Sequence, residues 1–155
     1  MQITSSATFA ATPDRVFAML TDEGYLAELC RASDASDFET SVEGNHTRMS
    51  RQLPAPPEAA RFTGPTLTVV EEIAWGEAGP DGSRTGRLEL TVPGQPVQLT
   101  GQTKIIPDGD RTRVDVAGDL KVKIPLVGGK LEKAAAPAVL EGIKLQQDVG
   151  NRWLA

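Results

Sequence analysis

From Gly128 or Gly129 onward the chain reads as one long amphipathic helix, "GGKLEKAAAPAVLEGIKLQQDVGNRWL", and it follows a long stretch in which apolar and polar residues alternate between tight turns. A helix placed after such strands has one role open to it: it covers a face of the sheet they form, because a sheet wet on both faces has no core. Stepping about 100° per residue from Leu131, one side of the helix collects Leu131, Ala134, Ala135, Ala138, Val139, Gly142, Leu145, Val149 and Trp153. Small side chains line its first half and larger ones its second. Pro137 falls on the polar side. There it removes the hydrogen bond to the Lys133 carbonyl and predicts a bend, with proline on the convex side, that follows a curved sheet. Two consequences stay open on the residues alone: tight helix-on-sheet contact, or an empty volume beneath the alanines.

The strands come from the turns. "EGN" at 43–45, "GPDGS" at 79–83, "PGQP" at 93–96 and "PDGD" at 107–110 combine residues that accept positive φ with residues that start a reversal. Short turns join antiparallel neighbours, so strands are predicted over 36–43, 46–53, 67–76, 83–92, 96–106 and 111–124. In the last of these Val114, Val116, Leu120, Val122 and Ile124 share one face, and Arg113, Asp115, Asp119, Lys121 and Lys123 share the other. Ahead of them "QITSSATFAA" alternates as a first strand. "TPDRVFAMLTD" then reads as a helix capped by Thr12 and started by Pro13, and "EGYLAELCRAS" as a second helix with Tyr25, Leu26, Leu29 and Cys30 at helical spacing. The proline-rich segment 54–65 reads as a crossover loop with a helical turn at "PEAARF". At 155 residues, without repeats or a low-complexity tail, the sequence predicts a single domain, 1–155.

Composition closes off several functions. A formal net charge of −5 argues against nucleic acid, whose affinity comes from neutralised phosphates. Lys121, Lys123, Lys130, Lys133 and Lys144 are interleaved with Asp119, Glu132 and Glu141, as on a solvated face. The first residues lack the basic and apolar regions of a leader, and no stretch approaches the roughly 20 apolar residues of a membrane span, so a cytoplasmic protein without stable membrane insertion is expected. With one cysteine, Cys30, and one histidine, His46, there is no intrachain disulfide, no thiolate or imidazole metal cage and no His-centred triad. His46 follows the "EGN" turn and is expected at the surface. The glycines of "PLVGGKLEK" lack P-loop spacing and read as the turn into the long helix. No catalytic residue and no cofactor is implied.

Two charged residues stand out. If Met49, Leu53, Leu67, Val69, Ile73 and Trp75 face inward, period-two alternation puts Arg51 and Glu71 on that same face of neighbouring strands. There they would orient a ligand's polar group or form an internal ion pair. A bulge or a register slip would place both in solvent instead. Tyr25, Phe38, Phe62 and Trp75 are candidate pocket aromatics, although such residues are more often core than ligand contacts, and Phe62 lies where it would gate a cavity mouth.

The order strand, two short helices, six antiparallel strands and a long C-terminal helix resembles, over the whole chain, the helix-grip fold of the Bet v 1-like or START-like (SRPBCC) superfamily. "ATPDRVFAMLTDEGYL" is similar to the opening of polyketide-cyclase and START-like members. "EAARFTGPTLTVVEEIAW", "GRLELTVPGQPVQLTG" and "KIPLVGGKLEKAAAPAV" resemble an uncharacterised actinobacterial family of this superfamily, a domain of unknown function that brings no catalytic pattern with it. The resemblance implies an α+β fold with a curved antiparallel sheet of about seven strands around the long helix, enclosing a cavity for a lipid, sterol, isoprenoid or polyketide-like molecule. The expected lining is Tyr25, Leu29, Phe38, Met49, Arg51, Phe62, Val69, Glu71, Trp75, Leu88, Leu90, Leu99, Val116, Leu120, Ala135, Ala138, Val139, Gly142 and Leu145. The function so implied is hydrophobic-ligand binding by a carrier or sensor. The alternatives are a cyclase or dehydratase using the same cavity, and a cavity-free module that binds another protein.

Overall fold

The computed structural model describes residues 1–155. Strand β1 (Gln2–Phe9) is followed by helices α1 (Pro13–Leu20) and α2 (Glu23–Ala32). Then come β2 (Phe38–Glu43), β3 (His46–Pro54), the one-turn α3 (Ala60–Thr63), β4 (Thr66–Trp75), β5 (Arg84–Thr91), β6 (Val97–Asp108), β7 (Arg111–Val122) and α4 (Gly128–Leu154). The seven strands form one antiparallel sheet in the order β1-β7-β6-β5-β4-β3-β2. Six of them follow the chain as a meander, and β1 closes onto β7. This is the helix-grip architecture, and the predicted strands lie within a few residues of the observed ones.

Local chemistry explains the helices. Thr12 Oγ1 accepts from the Arg15 amide ahead of Pro13, and Asp22 Oδ1 accepts from the amides of Gly24 and Tyr25 at 2.7 and 3.2 Å, so each short helix has its first turn capped. β7 buries Thr112, Val114, Val116, Leu120 and Val122 on one face and leaves Arg113, Asp115 and Lys121 toward water on the other. Gly101 of β6 sits opposite Gly118 of β7, where a Cβ on Gly101 would run into the Ala117 carbonyl. Bare backbone there lets the two strands approach more closely than side chains allow.

Helix α4 runs unbroken through Pro137, which is exposed as its wheel position requires. The face it rests on differs from the predicted stripe. α4 lies against β1, β7 and α2, with Ala136 buried beside Ile3 and Gly150 pressed on Phe9 and Met19. Those contacts sit about a third of a turn away from Leu131 on the wheel. Polar side chains fasten the same flank: Gln147 Oε1 accepts from the Thr8 amide at 2.8 Å, and Asn151 accepts from the Ala10 amide and donates to the Thr8 carbonyl at 3.1 and 3.0 Å. Glu132 accepts from the Val122 amide at 3.1 Å. The free edge of β1 is thus covered by helix side chains, which occupy groups an open edge would leave unpaired. The predicted stripe leans out over the sheet instead of lying flat on it, apart from Leu131 and Val149, which are buried, and Trp153, which turns back to meet Tyr25 edge-on at 6.1 Å.

Candidate ligand cavity

Because α4 leans on one edge of the sheet, the middle strands are roofed without being filled. Between them lies a cavity of about 660 Å³. Its floor is Val69 and Ile73 of β4, Leu88 and Leu90 of β5, Leu99 of β6 and Val116 and Leu120 of β7. The roof is Ala135, Ala138, Val139, Gly142 and Leu145, and Leu29 of α2 closes the inner end. The mouth lies where β3, β5 and β7 end, framed by Pro54, Phe62 of α3, Pro96 and Ile124. Phe62 keeps 41% of its surface exposed there. Behind the inner end is a second space of about 30 Å³, lined by Tyr25, Met49, Trp75, Thr47, Thr103 and Gln146, with Leu29, Glu71 and Ile73 also lining it. It has room for about two waters.

The structure therefore divides the expected lining. Leu29, Arg51, Phe62, Val69, Glu71, Leu88, Leu90, Leu99, Val116, Leu120, Ala135, Ala138, Val139, Gly142 and Leu145 meet in the main cavity, whereas Tyr25, Met49 and Trp75 belong to the small inner chamber. Phe38 lines neither. It starts β2 at the sheet edge, packs on the core beneath α2 and carries the Arg31 guanidinium 5.8 Å over its ring. An edge strand shares the sheet's face without reaching its middle, which alternation alone does not reveal. Residues that sequence reasoning did not place in the site include Ser33 at the end of α2 and Pro54, Pro96 and Ile124 at the mouth. Their turn and loop positions carried the only available signal.

Arg51 and Glu71 do share the inner face. In the register of β3 and β4, Met49 is opposite Glu71 and Arg51 is opposite Val69, so the two charged residues are diagonal neighbours. They form no ion pair: none of the protein's salt bridges includes either. Burial pushes the Glu71 carboxyl above its usual range, and the Arg51 charge only partly opposes that. Nη1 of Arg51 donates to Ser33 Oγ at 3.4 Å, while its Nε is buried without a partner, as is the indole Nε1 of Trp75. The Tyr25 hydroxyl donates to the Gln146 carbonyl at 3.3 Å, and burial, helped by the Glu71 charge, raises its ionisation well above the usual phenol value. Burial likewise pushes the Cys30 thiol up to about 11, which leaves it an inert core residue. His46 is exposed, 3.7 Å from a Glu72 carboxylate. No group of three or more His, Cys, Asp or Glu side chains stands close enough to hold a metal ion, and no helix is long and apolar enough to cross a membrane.

Comparison with known proteins agrees with this geometry. An uncharacterised protein of Mycobacterium tuberculosis H37Rv is 24% identical over 129 residues, 82% of this chain and 74% of its own. The aromatase/cyclase ZhuI of Streptomyces sp. R1128 superposes with a TM-score of 0.65 at 15% identity, over 97% of this chain and 91% of its own. A STAR-related lipid transfer protein of Xanthomonas axonopodis does so with a TM-score of 0.62 at 19% identity, over 94% and 82%. The fold is thus START-like. The family described as "Protein of unknown function (DUF2505)" matches residues 4–154, nearly the whole chain, and this protein belongs to it.

Proposed function

We propose that the protein binds a hydrophobic small molecule, of lipid, isoprenoid or polyketide-like character, in the space between sheet and α4, as a carrier or sensor. The observation that carries this reading is the cavity itself: about 660 Å³, with 23 of its 38 lining residues hydrophobic. That volume falls within the roughly 300–1,000 Å³ of small-molecule sites, and a lining of this kind rewards burial at about 25 cal/mol per Å². Two structural neighbours, a lipid transfer protein and an aromatase/cyclase, support the class of ligand. We also take residues 1–155 as one domain, since a single sheet draws strands from both ends of the chain, and place it in a reducing compartment such as the cytoplasm, where Cys30 stays a free thiol.

Native mass spectrometry of freshly purified protein, followed by denaturing extraction, tests the reading. A released apolar molecule at substantial occupancy supports it. A clean apo mass together with no thermal shift across fatty acids, isoprenoids and polyketides overturns it.

One observation favours a second reading, a cyclase or dehydratase: the Glu71 carboxyl lies in the cavity with its proton held more tightly than usual, as a general acid requires. Turnover of a bound polyketide that stops in Glu71→Gln separates this enzyme from a carrier.

A further inference from the structure

Arg51 carries the one enclosed side-chain polar atom of the main cavity's lining that has no hydrogen-bond partner. A guanidinium has five N–H donors, and this one places a single hydrogen bond, from Nη1 to Ser33 Oγ at 3.4 Å. Nε is buried with no partner at all. The terminus of α2 draws a cation toward it through its partial negative charge. Its carbonyls are already engaged by the chain, however: the Cys30 carbonyl accepts from Ser33 Oγ at 2.8 Å and from the Ala35 amide, the Leu29 carbonyl accepts from the Ser33 amide, and the Arg31 carbonyl accepts from the Asp34 amide. Five acidic or basic side chains share the cavity with Arg51: Asp34, Glu71, Glu141, Lys144 and Asp148. None of the carboxylates lies within 4.0 Å of the guanidinium. The carboxyl on the adjoining strand, Glu71, makes no ion pair with it, and burial pushes that carboxyl above its usual range while the Arg51 charge partly opposes the rise.

A cation in an apolar cup without a counterion is costly, and the cost is relieved when an anion arrives. Ser33 takes a single hydrogen bond from Nη1 and Nε is enclosed by the protein, which leaves the Nη2 donors, unpaired and not enclosed, to receive a carboxylate oxygen in a charge-assisted hydrogen bond. The apolar floor and roof beyond it take a chain or ring system. We propose that the ligand is an amphipathic acid, a long apolar body ending in a carboxylate, and that Arg51 receives the carboxylate while the body lies under the alanine stripe of α4. The proposal rests on the ligand-binding reading above and sharpens it to one class of molecule.

Three probes of equal chain length decide it: hexadecanoic acid, hexadecanol and hexadecylamine, each titrated calorimetrically against wild-type protein, Arg51→Met and Arg51→Lys. A charge-assisted hydrogen bond gives the acid an advantage of about tenfold or more over the alcohol on wild-type protein, with the amine weakest. Arg51→Met is expected to erase that advantage by weakening the acid alone, and Arg51→Lys to keep part of it. Equal binding of acid and alcohol by wild-type protein overturns the proposal and leaves the cavity reading intact. If no probe and no component of a mixed lipid extract binds, the cavity reading falls and takes the proposal with it. The wild-type series alone is decisive should Arg51→Met fail to fold.

Discussion

The two ends of this molecule share one sheet and one helix and differ in what lies between them. Beneath α1, α2 and the C-terminal half of α4, the space is filled by Phe9, Val16, Met19, Tyr25, Leu29, Cys30 and Ile105, of which Val16, Tyr25, Cys30 and Ile105 are wholly buried. Beneath the first and middle turns of α4, alanines and a glycine face leucines and valines across about 660 Å³. The difference shows that close packing and open volume are divided along a single helix: its last turns pack on α1, α2 and β1, and its first and middle turns roof a space while Leu131 and Ala136 stay buried. Gln147, Gly150 and Asn151 grip β1 and allow the rest of the helix to stand clear of the middle strands.

Truncation tests this division most sharply. Removing the ring in Tyr25→Ala takes out a side chain with no exposed surface and is expected to lower the unfolding free energy by about 3–5 kcal/mol. Val139→Ala removes atoms that already border empty space, so its cost should stay under about 1 kcal/mol. Urea unfolding with unchanged slope measures both. Comparable losses would mean that the first half of α4 is packed like the second.

Added volume gives the converse and a smaller effect. Ala7→Leu forces new atoms into the closed half, where Ala7 is buried, and is expected to cost about 1–3 kcal/mol. Ala135→Leu places the same atoms in the cavity and is expected to change stability by less than about 0.5 kcal/mol while weakening uptake of the hydrophobic probes. If Ala135→Leu unfolds the protein as readily as Ala7→Leu, the empty volume is not tolerant space.

Glu71 sits where the two ends meet, lining both the main cavity and the inner chamber. Its folded-state ionisation is raised above the ordinary value of 4.5, so above that pH the unfolded chain releases the proton that the folded protein still holds. The contribution is fully present below pH 4.5 and declines as pH rises toward the raised folded value. Relative to Glu71→Gln, the wild-type melting temperature should therefore fall as pH increases from about 4.5, and the variant should lack this component. Parallel pH profiles for the two proteins would show that the carboxyl is as well solvated as in the unfolded chain.

Much of this arrangement was legible in the residues because it depends on local periodicity. Alternation in 111–124, the turn at "PDGD" and the capped start at Thr12–Pro13 each report on their own segment, and each segment folds accordingly. The shared inner face of Arg51 and Glu71 also follows from period two, once β3 and β4 pair without a bulge. Periodicity could not reveal which side of α4 bears on β1. Ala136 and Gly150 look like any other small residues, Gln147 and Asn151 look like solvent-facing ones, and their partners are backbone groups distant in the chain. The same limit applies to Phe38, whose alternation is right but whose strand lies at the edge, and to the missing ion pair, since a register fixes the face of two side chains and not the reach of their ends.

The smallest effect concerns the open end. Leu126, between β7 and α4, has φ of +71° and is fully exposed, so it combines a backbone conformation that disfavours a side chain with no packing in return. The left-handed region costs leucine on the order of 1–2 kcal/mol, and glycine's greater freedom in the unfolded chain takes back about 0.5–1 kcal/mol. Leu126→Gly should accordingly raise stability by roughly 0.5 kcal/mol, read as a small upward shift of the melting temperature. The other non-glycine residue at positive φ, Asp34 at +59° just past the end of α2, is of a type that tolerates the conformation through its short polar side chain. If Leu126→Gly instead lowers stability, and more so when hexadecanoic acid is present, the strain is held in place by contacts to a bound molecule, and the open end is defined by its ligand as well as by its empty space.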